Sequence, residues 1–303
     1  MDTLIGIDLG GSSIKAVMVT SEGVRLDEAN QPFMDRDMEW ARGVSAVINA
    51  FESRHGVAKG IGLCAPGLAA RSGRAIAVLP GRLAGLEGLD WTTYLGRSRE
   101  VPVLNDAHAA LLGEVWQGAA RGLKDVFMLT LGTGVGGAAM VDGRLLRGHL
   151  GRAGHLGHTV VDFNGPLDDV NTPGSIEHEM GNKNVMERSG GRFRSTQLLV
   201  EAHLSGDAEA TRIWMRSMRA LGACVASLVN TLDPEAVIIG GGVAKAGPAL
   251  FGPLAEAMDR FEWRPGGARV RLLKPELGDI AGAYGAAWSV LDRIEAAEAD
   301  GRD

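Results

Sequence analysis

The sequence predicts an α/β protein in two related halves, and three observations carry that expectation. Apolar runs of strand length alternate with longer segments whose apolar residues recur at helical spacing. Near residue 3, and again near residue 125, the same order appears: an apolar run, a glycine turn and a second apolar run. The length, 303 residues, suits two lobes that each bury a core of their own. The expected division is an N-terminal lobe over 1–120, completed by a C-terminal helix at 280–300, and a C-terminal lobe over 121–279.

Taken in order, TLIGIDL is a strand that meets Gly10-Gly11 and resumes as IKAVMVT, a hairpin with glycines at its tip. From Glu39 to Phe51 the apolar residues Trp40, Val44, Val47, Ile48 and Phe51 mark a helix. GIGLCAPG follows as a buried strand with a Pro-Gly stop, and VPVLND as a short strand leading into the helix AHAALLGEVWQGAA. The second half opens with DVFMLTLGTGVGGAAMVDGRLL, strand, glycine turn and strand, with Asp142-Gly143 as a further hairpin signal. A helical region runs from about Asp207 to Leu232, and DPEAVIIGGGVAKAG is a strand entering a glycine turn before a helix. GDIAGAYGAAWSVLDRIEAAEA is helical in pattern and gives way to a polar tail.

Composition narrows the function classes. Cys64 and Cys224 lie far apart and near no other cysteine, which fits neither a disulfide framework nor a zinc ribbon and suggests a reducing cytoplasm. No stretch has the length of an apolar membrane span, and the N-terminus lacks the pattern of a secretory leader. A net charge of −6, with dispersed Lys and Arg, argues against nucleic acid and for small-molecule partners.

The 44 glycines cluster at particular points, notably the strand ends GIDLGGSSIK, LTLGTGVGG and VIIGGGVAKAG. Such turns let backbone N–H groups approach an anion with no side chain in the way. One alone most often just reverses the chain; three point to phosphate. Asp8 precedes the first, and Ser12, Ser13 and Lys15 follow it, supplying a carboxylate for Mg²⁺ and donors for phosphate oxygens. None fits the P-loop or the complete dinucleotide pattern.

The stretch GHLGHTVVDFNGPLDDVNTPGSIEHE crowds three histidines and five acids between glycines. His155 and His158, with Asp162, Asp168, Asp169 and Glu177, offer a possible metal shell, although polar residues between glycines are equally ordinary loop.

GIDLGGSSIK, NDAHAALLGE, LTLGTGVGG, the block from Gly154 to Glu177, DPEAVIIGGGVAKAG and LGDIAGAYGAA together resemble, in order and spacing, the ROK (repressor, open reading frame, kinase) family. The resemblance implies a two-lobed actin-like (ribonuclease H-like) ATPase fold with a ligand cleft between lobes, taking a sugar and MgATP. It implies that Asp8 serves the Mg²⁺ and that Gly10, Gly11, Ser12, Ser13, Lys15, Gly132, Thr133, Gly134 and Gly136 hold phosphates, while Gly240, Gly241 and Gly242 flank adenosine. Asp106 matches the family's catalytic aspartate, a general base for the attacking sugar hydroxyl. By itself an Asp at a helix start is more often a cap. Gly67, Asn105, Asp106, His155, His158 and Glu177 fall on sugar-site positions, and the family is commonly dimeric.

Three departures stand out. Where the family carries three zinc-binding cysteines beside its histidine, this chain has Asp168, Val170 and Ser175, a set that predicts no structural zinc. His155 replaces a common glutamate, a pattern that resembles some bacterial N-acetylmannosamine kinases, and Arg82 stands where family members often have an asparagine before the leucine. The leading expectation is ATP-dependent phosphorylation of a hexose or N-acetylhexosamine at its 6-hydroxyl, glucokinase-like, with N-acetylmannosamine kinase as the alternative. A non-catalytic sugar-binding protein and a sugar-responsive regulator rank lower: Asp8, Asp106 and the glycine turns are intact, and the first turn begins too near Met1 for a DNA-reading domain. Polyphosphate as donor stays open.

Overall fold

The computed structural model describes residues 2–299. The chain divides into two compact units, one comprising Met1–Gly122, Leu145–Gly154 and Pro275–Asp303, the other Leu123–Arg144 and His155–Lys274.

The first unit opens with strands β1 (Thr3–Leu9), β2 (Ser13–Thr20) and β3 (Arg25–Pro32), then helix α1 (Glu39–His55) and strand β4 (Gly60–Ala65). A short pair, β5 (Leu68–Ala69) and β6 (Ile76–Val78), helix α2 (Trp91–Tyr94), strand β7 (Val103–Asn105) and helix α3 (Asp106–Gln117) follow. The sheet order is β3-β2-β1-β4-β7. β1 pairs antiparallel with β2, Asp8 opposite Lys15, and parallel with β4, Asp8 opposite Cys64. The expected hairpin is therefore present, and its tip lies at one end of the sheet. One face of this sheet buries Ile5, Ile7, Ile14 and Leu63 with Trp40, Val44 and Phe51 of α1, the helical stripe read from the sequence.

The second unit repeats the plan with β8 (Val126–Leu131), β9 (Val135–Val141) and β10 (Arg144–Leu145). Helices α4 (Ile176–Met180), α5 (Val185–Arg188), α6 (Thr196–Leu204) and α7 (Ala208–Leu232) come next, then β11 (Ala236–Gly240), α8 (Pro248–Phe261) and β12 (Arg271–Leu273). The order β10-β9-β8-β11-β12 again places an antiparallel hairpin beside parallel neighbours. Asp207 caps α7 through the Ala210 amide, so the long helix begins where a capping residue and an apolar stripe coincide.

The chain returns to the first unit as α9 (Ala281–Ala299). This helix covers the other face of the first sheet, burying Ala283, Tyr284, Ala287 and Val290 against Leu4, Val17 and Val19. The approach is very close: a Cβ on Gly6 would fall 1.8 Å from the carbonyl oxygen of Ala283, which is why the middle of an apolar strand carries glycine. The polar tail expected beyond α9 lies outside the described residues. No described helix is long and apolar enough to cross a membrane.

Candidate active site

In the first unit the acidic pair is assembled by the ends of two parallel strands. Asp8 stands near the end of β1, and Asp106 is the first residue of α3, just past β7. The cap of α3 is Asn105, whose side-chain oxygen accepts from the amides of Ala107 at 3.0 Å and His108 at 3.2 Å. Asn105 Nδ2 donates to the carbonyl of Gly67 at 3.0 Å. Asp106 is thereby relieved of the capping duty, although one of its oxygens accepts from the Ala107 amide at 2.8 Å. Asn105 retains one amide N–H for a ligand, since its oxygen and its other N–H are engaged.

Burial, then the neighbouring carboxylate of Asp106, push the Asp8 carboxyl up from 3.8 to about 7, against the pull of Lys15 and a hydrogen bond from Cys64. A cation beside this pair would relieve both causes, so the residues fit a divalent ion, with Asp8 as its protein ligand. The first turn of α9 comes close as well: a Cβ on Gly282 would lie 2.8 Å from Asp8 Oδ2. Gly10, Gly11 and Ser12 form the turn between β1 and β2, and Ser13 and Lys15 begin β2. The Arg82 guanidinium lies over this turn, 2.5 Å from where a Cβ on Gly11 would stand.

In the second unit the turn between β8 and β9 holds Gly132, Thr133 and Gly134, with Gly136 in β9. Two elements embrace it. The amides of Asn182 and Lys183 donate to the carbonyls of Gly132 and Thr133 at 2.9 and 3.0 Å. Glu177, buried in α4, accepts from the Val135 amide at 2.9 Å and from Lys183 Nζ at 2.7 Å. Each carboxylate oxygen keeps further acceptor capacity. Gly157 brings the histidine segment onto the same hairpin, since a Cβ there would fall 1.9 Å from the carbonyl oxygen of Val135. His155 is partly buried, and its carbonyl receives the His158 amide at 3.4 Å.

A cavity of about 780 Å³ opens within this unit, lined by Gly132, Thr133, Asn182, Ser195, Thr196, Val243 and Lys245 together with Gly242. The second and third glycine turns thus share one cavity, with apolar Val200 and Leu204 on its wall. That mix of an apolar wall and glycine turns suits a base, a ribose and phosphates. The lining residues from 182 to 204 carry no sequence signal of their own beyond Ser195, which caps α6 through the Leu198 amide. Gly240 ends β11, and Gly241 takes a positive φ of 86° behind it.

His158, Asp168 and Glu177 each offer a ligand atom within 4.8 Å of the others, a spacing that could hold a metal ion. The donor set does not fit the structural zinc that the family resemblance implies. Val170, at one of the cysteine positions, has no ligand atom and is 56% exposed. The Asp168 and Glu177 oxygens are already engaged, Asp168 Oδ2 with His158 Nδ1 at 2.9 Å and Glu177 Oε1 with Lys183 Nζ at 2.7 Å.

Known proteins resemble the chain over nearly its whole length. The family profile described as "ROK family" matches residues 4–293. A glucokinase of Thermotoga maritima is 31% identical over 96% of this chain and 98% of its own. An N-acetylmannosamine kinase of Escherichia fergusonii is 28% identical over 94% of this chain and 97% of its own. Among solved structures, the ROK hexokinase from Thermus thermophilus superposes with a TM-score of 0.86 at 30% identity, covering 97% of this chain and 99% of that one. A ROK family glucokinase from Streptomyces griseus, in complex with glucose and AMPPNP, gives 0.76 at 27% identity, covering 95% and 98%.

Proposed function

The chain belongs to the ROK family, and we propose that it phosphorylates a hexose or N-acetylhexosamine at the 6-hydroxyl with MgATP as donor. It is a sugar kinase with the actin-like fold of its relatives; the substrate and the catalytic roles are our reading. The observation that carries it is the acidic pair, Asp8 held up to about 7 beside an Asp106 whose helix is capped by another residue.

Asp106 accepts the proton of the sugar hydroxyl as its oxygen attacks the γ-phosphorus; the new O–P bond forms while the bond to the β-phosphate oxygen breaks, and ADP departs with that electron pair. Asp8 would ligate Mg²⁺, which when bound would neutralise charge on the donor phosphates. Ser12, Ser13 and Lys15, with the amides of Gly10 and Gly11, and the turn of Gly132, Thr133, Gly134 and Gly136 donate to phosphate oxygens. Gly242 lines the 780 Å³ cavity, and the turn it forms with Gly240 and Gly241 flanks the adenosine. Gly67 and Asn105 shape the sugar site around Asp106, while His155, His158 and Glu177 take hydroxyls. A site that hydrogen-bonds hydroxyls rejects analogues lacking them.

N-acetylmannosamine is the second substrate reading, favoured by His155, whose imidazole offers one donor and one acceptor where a carboxylate offers acceptors alone. Coupled ADP release over glucose, mannose, fructose, allose, N-acetylglucosamine and N-acetylmannosamine tests the proposal. Magnesium-dependent turnover on at least one is expected; sugar binding without turnover on any would refute it.

A further inference from the structure

We infer that the Asp168 carboxylate fastens the loop from Asp162 to Ser175 in place of a metal and fixes the tautomer of His158, so that His158 Nε2 presents a lone pair to its ligand. Only the last clause, concerning the ligand, rests on the proposed sugar role of His158.

The side chain of Asp168 is 1% exposed, yet every polar contact around it is a donor. Oδ1 accepts from the amides of Val170 at 3.0 Å and Thr172 at 2.8 Å. Oδ2 lies 2.9 Å from His158 Nδ1, and the Ser175 hydroxyl also stabilises the charge of this carboxylate. Burial alone would raise this carboxyl, but His158, Thr172, Ser175 and Val170 together hold it below the ordinary value, so the group is an anion that gathers donors. The backbone closes around it: Asp168 N donates to Thr172 O at 3.0 Å, and Gly174 N to Pro166 O at 2.8 Å. Of the residues at the resemblance's cysteine positions, Asp168 is the centre of the loop's bonds, Ser175 adds to the stabilisation of its charge, and Val170 contributes only its backbone N–H.

The chemical consequence falls on the imidazole. A metal on Nδ1 needs that nitrogen unprotonated, which leaves the proton of the neutral ring on Nε2, a donor. A carboxylate on Nδ1 needs the proton there, which leaves Nε2 an acceptor. Asp168 on Nδ1 thus leaves His158 offering a hydroxyl the opposite of what a metal on that nitrogen would leave it. Nε2 has no hydrogen-bond partner among the described residues, so it is available to a ligand.

Asp168→Asn separates positioning from mere support. The two amides at Oδ1 select the carboxamide oxygen on that side, which turns Nδ2 toward His158 and makes it a donor to Nδ1; the loop keeps its backbone bonds while the proton moves to Nε2. Three readouts apply to the full chain: metal content with thermal stability before and after EDTA, nitrogen NMR of labelled histidine at a pH where the ring is neutral, and sugar KM against kcat. We expect no stoichiometric zinc, stability indifferent to EDTA, Nδ1-protonated His158 in the wild type and Nε2-protonated His158 in Asp168→Asn. We also expect KM to rise about tenfold with kcat little changed, the loss of one hydrogen bond. Stoichiometric zinc whose removal destabilises the protein, or the same tautomer in both proteins, would overturn the inference. A switched tautomer with unchanged KM upholds the role of Asp168 and instead removes His158 from the sugar.

Discussion

Asp8→Asn should make the empty protein more stable as it destroys turnover, and the gain should depend on pH. The unfolded chain gives up the Asp8 proton near 3.8, while the fold keeps it until about 7. The stability this group contributes is therefore complete below 3.8 and is lost as the pH rises through about 7. Each pH unit of that interval is worth about 1.4 kcal/mol, so ionised Asp8 costs the ligand-free fold on the order of 4 kcal/mol. Asparagine cannot ionise and escapes the cost. Urea unfolding followed by tryptophan fluorescence, without nucleotide or magnesium, should show the variant's advantage growing by about 3 kcal/mol between about pH 5 and pH 8. Adding MgATP analogue and sugar should reverse the order, because only the wild type gains the ion's binding energy. A gap that stays constant or narrows with rising pH would refute the assignment of burial and Asp106 as the causes.

Three further outcomes follow from the same geometry. Glu114, fully buried in α3, accepts from the amides of Ala119, Glu276 and Leu277, so Glu114→Ala should leave these donors unpaired and cost on the order of 3–5 kcal/mol in urea unfolding. Gly242 lines the 780 Å³ cavity with nothing within 4 Å of a Cβ; Gly242→Phe should keep the melting temperature near that of the wild type and weaken AMPPNP binding in calorimetry by about tenfold or more. Arg82→Ala removes the guanidinium over the first glycine turn, and the KM for the donor should rise about tenfold in steady-state assays, the equivalent of one charge-assisted hydrogen bond.

The elements most readily read from the sequence were those whose pattern is set by burial. β1, β4, β8 and β11 are apolar runs covered on both faces, and α1 and α7 bury a stripe of helical period. β3 escaped because RLDEANQP is polar and largely exposed; it is a strand through backbone pairing to β2 at the edge of the sheet, which leaves no hydrophobic trace. The glycine turns were legible because their backbone demand restricts residue type. The cavity wall was not, because Asn182, Thr196 and Val243 come together only through the packing of separate elements. The fastening of Asp168 was half legible: the lost cysteines were plain, and Asp168 followed by Asn171, Thr172, Pro173 and Gly174 is the composition of an aspartate-centred turn. Its meeting with His158 required the fold.

The most direct test of the central claim is single-turnover phosphoryl transfer by Asp106→Asn, with the best sugar of the panel and saturating MgATP. If Asp106 is the base, the transfer rate falls about 100- to 10,000-fold while nucleotide and sugar affinities stay near those of the wild type. Transfer at the wild-type rate would contradict the account.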